Sequence, residues 1–127
     1  KPASPANNRH FYLPFCKGDK ILACPYKSGD ELSLNKFKIY EPTTKPVLDI
    51  EILDMIITPA LCADFKFNRL GYGGGFYDRF FANHNLRAKK VVIVPDDMLI
   101  EAIPTDKYDK KCDIIVTEKR ILEAKDL

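Results

Sequence analysis

No uninterrupted apolar run in the 127-residue chain approaches the roughly 18 residues of a membrane-spanning helix, and no signal peptide opens it. A charge excess is also missing: 20 Lys and Arg against 18 Asp and Glu leave a net charge of +2. A surface built to coat a phosphate backbone carries a basic excess or a basic face, so neither nucleic acid nor a membrane is an expected partner. Histidine is scarce, and His10 and His84 lie in polar surroundings without a matching ligand set. Cys16, Cys24, Cys62 and Cys112 stand too far apart for a CxxC redox or zinc pair, which points to reduced thiols in a cytoplasmic protein. No Ser/His/Asp or Cys/His constellation stands out for nucleophilic catalysis.

What is present fits one globular domain. Hydrophobic residues make up 46% of the chain and charged residues 30%, ordinary values for a soluble protein. Residues 1–10, "KPASPANNRH", have no periodicity and are expected to be a disordered tail or cloning remnant, leaving 11–127 as a single α/β domain. "FYLPF" and "KILACPY" are expected strands joined by the turn residues of "CKGD". The polar stretch from Tyr26 to Asp49, broken by Gly29, Pro42 and Pro46, is expected to be mostly loop. Met55–Thr58 and Val91–Val94 are unbroken apolar runs, expected as central parallel strands buried on both faces. Phe76, Tyr77, Phe80 and Phe81 share one face of an expected helix. "PDDMLIEAIP" could hold a helical turn, and "CDIIVTEKRILEA" is expected to be a strand followed by a short helix. Strands alternating with helices indicate an α/β fold with a parallel or mixed sheet.

Four of the six glycines, Gly71, Gly73, Gly74 and Gly75, fall within five residues of "FNRLGYGGGFYDRFF". The segment follows a buried strand and runs into a helix, the end of an open α/β sheet where ligands bind. Glycines let the backbone approach an anion, and the first helical N–H groups, those of Gly75, Phe76 and Tyr77, lack intrahelical acceptors. Arg69 adds a planar, permanently charged fork suited to phosphate oxygens. Asp78 serves the helix dipole or, beside bound phosphates, holds a bridging Mg²⁺. A purely structural turn or a mobile lid is the competing explanation. Neither GxxxxGK[ST] nor GxGxxG is present, so a P-loop and a Rossmann dinucleotide site are both unsupported.

"NRLGYGGGFYDRF" is similar to the signature of the 5-formyltetrahydrofolate cyclo-ligase family, also called methenyltetrahydrofolate synthetase. "FYLPF" resembles the family's strand ending in Leu-Pro, and "IYEP" its Glu-Pro loop. "LDMIITPAL" with Asp64 resembles the strand and loop before the signature, and "IPTDKYDKKCDIIVTE" the closing segment. The resemblance implies an α/β fold of the NagB/RpiA/CoA-transferase type, a parallel or mixed sheet flanked by helices. It implies conversion of 5-formyltetrahydrofolate to 5,10-methenyltetrahydrofolate, with ATP and Mg²⁺ as cofactors and release of ADP and phosphate. Carried over by residue, Arg69, Leu70, Gly71, Tyr72, Gly73, Gly74, Gly75, Phe76 and Tyr77 would contact ATP. Tyr72, Gly73, Gly74, Gly75 and Phe76 would border the folate, and Asp78 and Asp113 would share the metal. No catalytic side chain is assigned. The family also carries an N-terminal segment with a lysine and an arginine for the ATP phosphates, and nothing here matches it. The chain is therefore expected to lack that part and, if truncated, to be inactive alone; the alternative is a nucleotide-binding relative without cyclo-ligase activity.

Overall fold

The computed structural model describes residues 9–18, 20–36, 38–43, 50–71, 76–83, 86–104 and 111–124. Its contacts divide the chain into two compact units, Lys1–Ile50 and Glu51–Leu127. The first unit is built from hairpins. Strands β1 (Phe11–Lys17) and β2 (Lys20–Tyr26) pair antiparallel, with Phe11 opposite Tyr26 and Lys17 opposite Lys20. Gly18 takes φ of +63° in the turn, a conformation that favours glycine. Ile21, Ala23 and Cys24 on β2 are buried. The following stretch, expected as loop, instead forms a second hairpin, β3 (Leu32–Leu34) with β4 (Tyr40–Pro42). Asn35 closes its turn: its side-chain oxygen accepts from the Ile39 N–H at 3.0 Å, and its carbonyl accepts from the Lys38 N–H. That local bonding supplies what the polar, Pro-containing sequence concealed.

The second unit runs β5 (Met55–Thr58), β6 (Cys62–Asp64), β7 (Arg69–Leu70), α1 (Phe76–Asn83), β8 (Lys89–Ile93), β9 (Leu99–Ile100), β10 (Ile114–Val116) and β11 (Ile121–Glu123). The main sheet has the order β11-β10-β8-β5, with β5, β8 and β10 parallel and β11 antiparallel to β10. A smaller sheet of order β7-β6-β9 supplies a second layer. Val92, Val94 and Ile115 of the main sheet and its margins pack in one core with Ala63, Phe67, Leu99 and Cys112. The apolar face of α1 contributes buried Phe80. Asp96–Met98 form the expected helical turn.

Two expectations need correction. The segment after β10 is a strand, not a helix, because Ile121 and Leu122 pair back onto Val116 and Ile115. Nor is β5 central: it ends the order of the main sheet, and Met55 and Ile57 are 56% and 61% exposed. On β8, Val91 and Val92 are buried while Ile93 is 54% exposed, so two-sided burial holds only in part. Apolar residues on both faces of a strand state what the strand can bury, and among the described residues of this unit one face has too little to bury against. Among the described residues no helix is long and apolar enough to cross a membrane.

Candidate functional site

The residues leading into the glycine loop are held from below by Asp64. This carboxylate is fully buried at the end of β6. Its Oδ1 accepts from the Lys66 and Asn68 N–H groups at 2.9 Å, and its Oδ2 from Asn68 Nδ2 and the Ile103 N–H at 3.0 Å. Burial alone would raise the Asp64 pKa, but these hydrogen bonds outweigh it and hold the group below its ordinary value. The same bonds fix a tight β6–β7 turn in which Phe67 takes φ of +67°, a costly conformation for a bulky residue. Phe67 N–H donates to the Asp64 carbonyl, and the Phe67 carbonyl accepts from the Cys112 N–H at 2.9 Å. Cys112 Sγ also donates to that carbonyl, and burial pushes its thiol up to about 11, so it stays protonated and unreactive.

Arg69 emerges from this turn on β7 with its side chain only 5% exposed. Nη1 donates to the Pro59 carbonyl at 3.0 Å, and Nη2 lies 3.6 Å from Asp78 Oδ1. The guanidinium carbon lies 5.7 Å from the centre of the Tyr77 ring, within cation–π range. Among the described residues, buried Nε has no hydrogen-bond partner, and neither does Oγ1 of Thr58 at the carboxyl end of β5. Buried polar groups are normally satisfied, so an orphaned guanidinium nitrogen marks a place where a ligand acceptor could be received. Gly71 follows, and a Cβ there would come within 2.9 Å of Arg69 Nη1. Glycine at this position makes room for the arginine. Leu70 is 47% exposed, and Tyr72, Gly73, Gly74 and Gly75 lie outside the described residues. Phe76 opens α1, which brings Tyr77 and Asp78 of its first turn to Arg69.

The two expected metal carboxylates engage different cations. Asp113 Oδ2 accepts from the Lys90 N–H at 2.8 Å and lies 3.4 Å from Lys90 Nζ. Lys90 Nζ lies 5.5 Å from the Phe81 ring centre, and Phe81 and Tyr77 rings are 6.2 Å apart. A continuous path of charges and rings therefore runs Asp113, Lys90, Phe81, Tyr77, Arg69, Asp78. Among the described residues no three His, Cys, Asp or Glu gather as a metal cluster. Magnesium does not require one: it is held by one or two carboxylates, with water and substrate phosphates completing its shell. Carboxylate oxygens are the donors that ion takes, where a transition metal would favour histidine or cysteine.

Another Arg–Asp pair lies past the carboxyl ends of β8 and β10, joined by residues too far apart in the chain for sequence spacing to reveal. Asp96 Oδ1 accepts from Thr117 Oγ1 at 2.8 Å and Arg120 Nε at 2.9 Å, and Oδ2 from Arg120 Nη2 at 3.0 Å. The Asp96 N–H donates to Glu118 Oε1. Arg120 also lies 5.8 Å from the Phe65 ring centre. The hydrogen bond from Arg120, then that from Thr117, holds Asp96 below its ordinary pKa.

A buried arginine bonded at the carboxyl end of a parallel strand and facing the first turn of α1, with a glycine-rich sequence between the two, is the layout of an α/β protein suited to an anionic ligand. The chain belongs to the 5-formyltetrahydrofolate cyclo-ligase family, whose model matches residues 5–118. It is 35% identical over 113 residues to the 5-formyltetrahydrofolate cyclo-ligase of Escherichia coli K12, covering 87% of this chain and 62% of the relative. The Haemophilus influenzae cyclo-ligase is 36% identical over 109 residues, covering 80% of this chain and 58% of the relative. Among solved structures, the Aquifex aeolicus 5,10-methenyltetrahydrofolate synthetase matches with a TM-score of 0.80 and 30% identity. That match covers 94% of this chain and 60% of the Aquifex chain. A Mycoplasma pneumoniae 5,10-methenyltetrahydrofolate synthetase shares the fold, with a TM-score of 0.65 at 19% identity over 87% of this chain and 57% of that one. The chain thus spans about 60% of the length of these relatives.

Proposed function

We propose that this chain carries the nucleotide side of a cyclo-ligase that converts 5-formyltetrahydrofolate to 5,10-methenyltetrahydrofolate at the expense of ATP. The observation that carries the proposal is Arg69: its side chain is buried and fixed by the Pro59 carbonyl, Asp78 and the Tyr77 ring, and its Nε has no acceptor among the described residues. The names of the similar Escherichia coli and Aquifex proteins support the reaction.

The chemistry asks for positioning and charge neutralisation more than for acid–base groups. A formyl oxygen is a poor leaving group; transfer of the terminal phosphoryl group of ATP onto it leaves a centre that N10 can attack, and ring closure expels phosphate. Arg69 would offer its orphaned N–H to a phosphate oxygen in a site with little competing water. The backbone from Gly71 through Tyr77 would line the phosphates and, from Tyr72 through Phe76, the folate. Asp78 and Asp113 would hold Mg²⁺, which when bound neutralises phosphate charge. The Arg69–Asp78 contact balances the charge of the arginine, and a bound phosphate would replace the carboxylate at Arg69 while Asp78 would face the cation.

Calorimetric titration of the chain with Mg·ATP tests the first half, and appearance of the methenyl chromophore from 5-formyltetrahydrofolate in the longest form of the protein tests the second. Expected are ATP binding that Arg69→Ala weakens at least tenfold and turnover that stops without ATP. ATP binding with no turnover in the longest form would select a nucleotide-binding relative. Normal ATP affinity in a folded Arg69→Ala protein would sink the site assignment.

A further inference from the structure

Strand β7 is two residues long, too short a ladder to fix by itself where Arg69 stands. Its register against β6 is set by the turn that joins them. Asp64 N–H donates to the Asn68 carbonyl at 3.0 Å, Phe67 N–H to the Asp64 carbonyl at 3.0 Å, and Leu61 N–H to the Leu70 carbonyl at 2.7 Å. The Asp64 carboxylate grips Asn68, the residue before Arg69, twice: Oδ1 accepts from its backbone N–H and Oδ2 from its side-chain amide. Oδ2 also accepts from the Ile103 N–H, on the chain that follows β9, and the Phe67 carbonyl accepts from the Cys112 N–H just before β10. The turn carrying Arg69 is thereby staked to two separate segments of the second unit.

That bracing holds a strained turn. Phe67 keeps φ of +67° while its ring packs with Val92, Cys112 and Ile115. A bulky residue stays in that conformation only where its surroundings over-determine it. Loosening the carboxylate lets the backbone of Phe67 and Asn68 relax, and Arg69 shifts with it. The guanidinium would then leave the Pro59 carbonyl, 3.0 Å from Nη1, and the Tyr77 ring, whose centre is 5.7 Å away. Misplacing a positioned group by about 1 Å can cost about 10²-fold at an enzyme site.

We propose that Asp64 is a positioning residue of the nucleotide site: it sets where the Arg69 guanidinium stands and thereby how tightly Mg·ATP is held. This role rests on the reading that Arg69 receives a phosphate oxygen. Asp64 acts through Arg69 and not by contact, since its carboxylate is fully buried and already accepts four hydrogen bonds. The charge of Asp64 gives the effect a sign. An ionised carboxylate repels phosphate, so neutralising it would tighten ATP binding if charge were all that it contributed. Positioning demands the opposite. In Asp64→Asn the amide oxygen can keep the Lys66 and Asn68 N–H groups, but the new NH₂ meets the Ile103 N–H donor to donor, and that stake is lost.

The test is calorimetric titration with Mg·ATP of the longest form of the protein, below the unfolding transition of every variant. Asp64→Asn should bind about threefold or more weakly, and Arg69→Ala about tenfold or more. Asp64→Asn/Arg69→Ala should bind no worse than Arg69→Ala alone, since the arginine that Asp64 positions is then absent. Asp96→Asn, which alters a hydrogen-bonded carboxylate elsewhere in the unit, should lower the urea midpoint and leave ATP affinity unchanged. Should Asp64→Asn fail to fold, Asn68→Ala takes its place: it removes only the side-chain bond to Oδ2 and should weaken binding about twofold, again only while Arg69 is present. Normal or tighter ATP binding by the folded variant overturns the inference, as does full additivity with Arg69→Ala or an equal loss in Asp96→Asn. Normal binding by folded Arg69→Ala instead sinks the reading of the site itself, and this role with it, so the two failures are told apart.

Discussion

Two of the Arg–Asp pairs in the second unit, Arg120–Asp96 and Arg69–Asp78, look alike on paper and differ in how completely they are bonded. At Arg120–Asp96, both carboxylate oxygens accept from the guanidinium, at 2.9 and 3.0 Å, and Thr117 adds a third bond. At Arg69–Asp78 the guanidinium and carboxylate lie 3.6 Å apart, and among the described residues the buried Nε of Arg69 has no acceptor. The first pair has spent its directional capacity on joining the turn after β8 to the turn after β10. The second holds a charge in place, with Arg69 Nε unmet among the described residues. Bidentate Arg–carboxylate pairs are geometrically committed, whereas an unsatisfied buried donor is costly unless something else uses it. Saturation therefore separates structural charge from charge available to a ligand, and Asp64, with four accepted bonds, belongs with the saturated group.

The largest effect should come from the saturated side. Asp64→Ala leaves the N–H groups of Lys66, Asn68 and Ile103 without their acceptor and releases the turn that holds Phe67 at positive φ. A loss of about 3 kcal/mol or more in urea unfolding is expected, since each stranded buried donor costs about 1–3 kcal/mol. A loss below about 1 kcal/mol would erase the structural role of saturation.

Next comes a crossed comparison of the two arginines. Arg69→Ala should weaken Mg·ATP binding by tenfold or more, about 1.4 kcal/mol, and Arg69→Lys should recover little because the planar fork is lost. Arg120→Ala should leave ATP affinity unchanged and lower the urea midpoint. Equal ATP effects in calorimetry would break the distinction between the pairs.

Acid titration sharpens the same contrast. Hydrogen bonding depresses the pKa of Asp64 and of Asp96 in the folded state. A depressed folded pKa means stability that is fully present above the unfolded value, about 3.9, and lost as pH falls toward the folded value. Stability should therefore fall below about pH 4, and Asp64→Asn should flatten that acid limb of the curve. An unaltered limb in denaturation at several pH values would mean that other carboxylates dominate.

Much of this was legible before any coordinates. The apolar runs of β5, β8 and β10, the phenylalanine spacing of α1 and the β1–β2 hairpin follow from local pattern alone. The sequence also names Arg69 and Asp78 as neighbours of the glycine segment, and the fold brings these two to 3.6 Å of each other. Concealed features were those set by distant partners. β11 reads as helix from Glu, Lys, Arg, Leu and Ala, yet pairing to β10 overrides that propensity. β6, β7 and β9 are two or three residues long, too short to show a period. Asp64 and Asp96 look like any acid until Ile103 and Arg120, far along the chain, are brought to them.

The smallest expected effect tests how finely the Arg69 position is set. A Cβ on Gly71 would lie 2.9 Å from Arg69 Nη1, the nitrogen that donates to the Pro59 carbonyl. A long side chain tip in solvent would swing away at little cost. This tip is held by Pro59, Asp78 and Tyr77 and is only 5% exposed, so it can yield by a few tenths of an ångström and no more. The φ of Gly71 is not in the left-handed region, so alanine meets no backbone penalty and the effect isolates the arginine. Gly71→Ala should weaken Mg·ATP binding a few-fold, about 0.5–1 kcal/mol, with stability changed by less than about 0.5 kcal/mol. The double variant Gly71→Ala/Arg69→Ala should bind no worse than Arg69→Ala alone, because the methyl acts through a group already gone. Full additivity in that cycle would mean that Gly71 meets the nucleotide directly, and the arginine's position would then not be what this glycine protects.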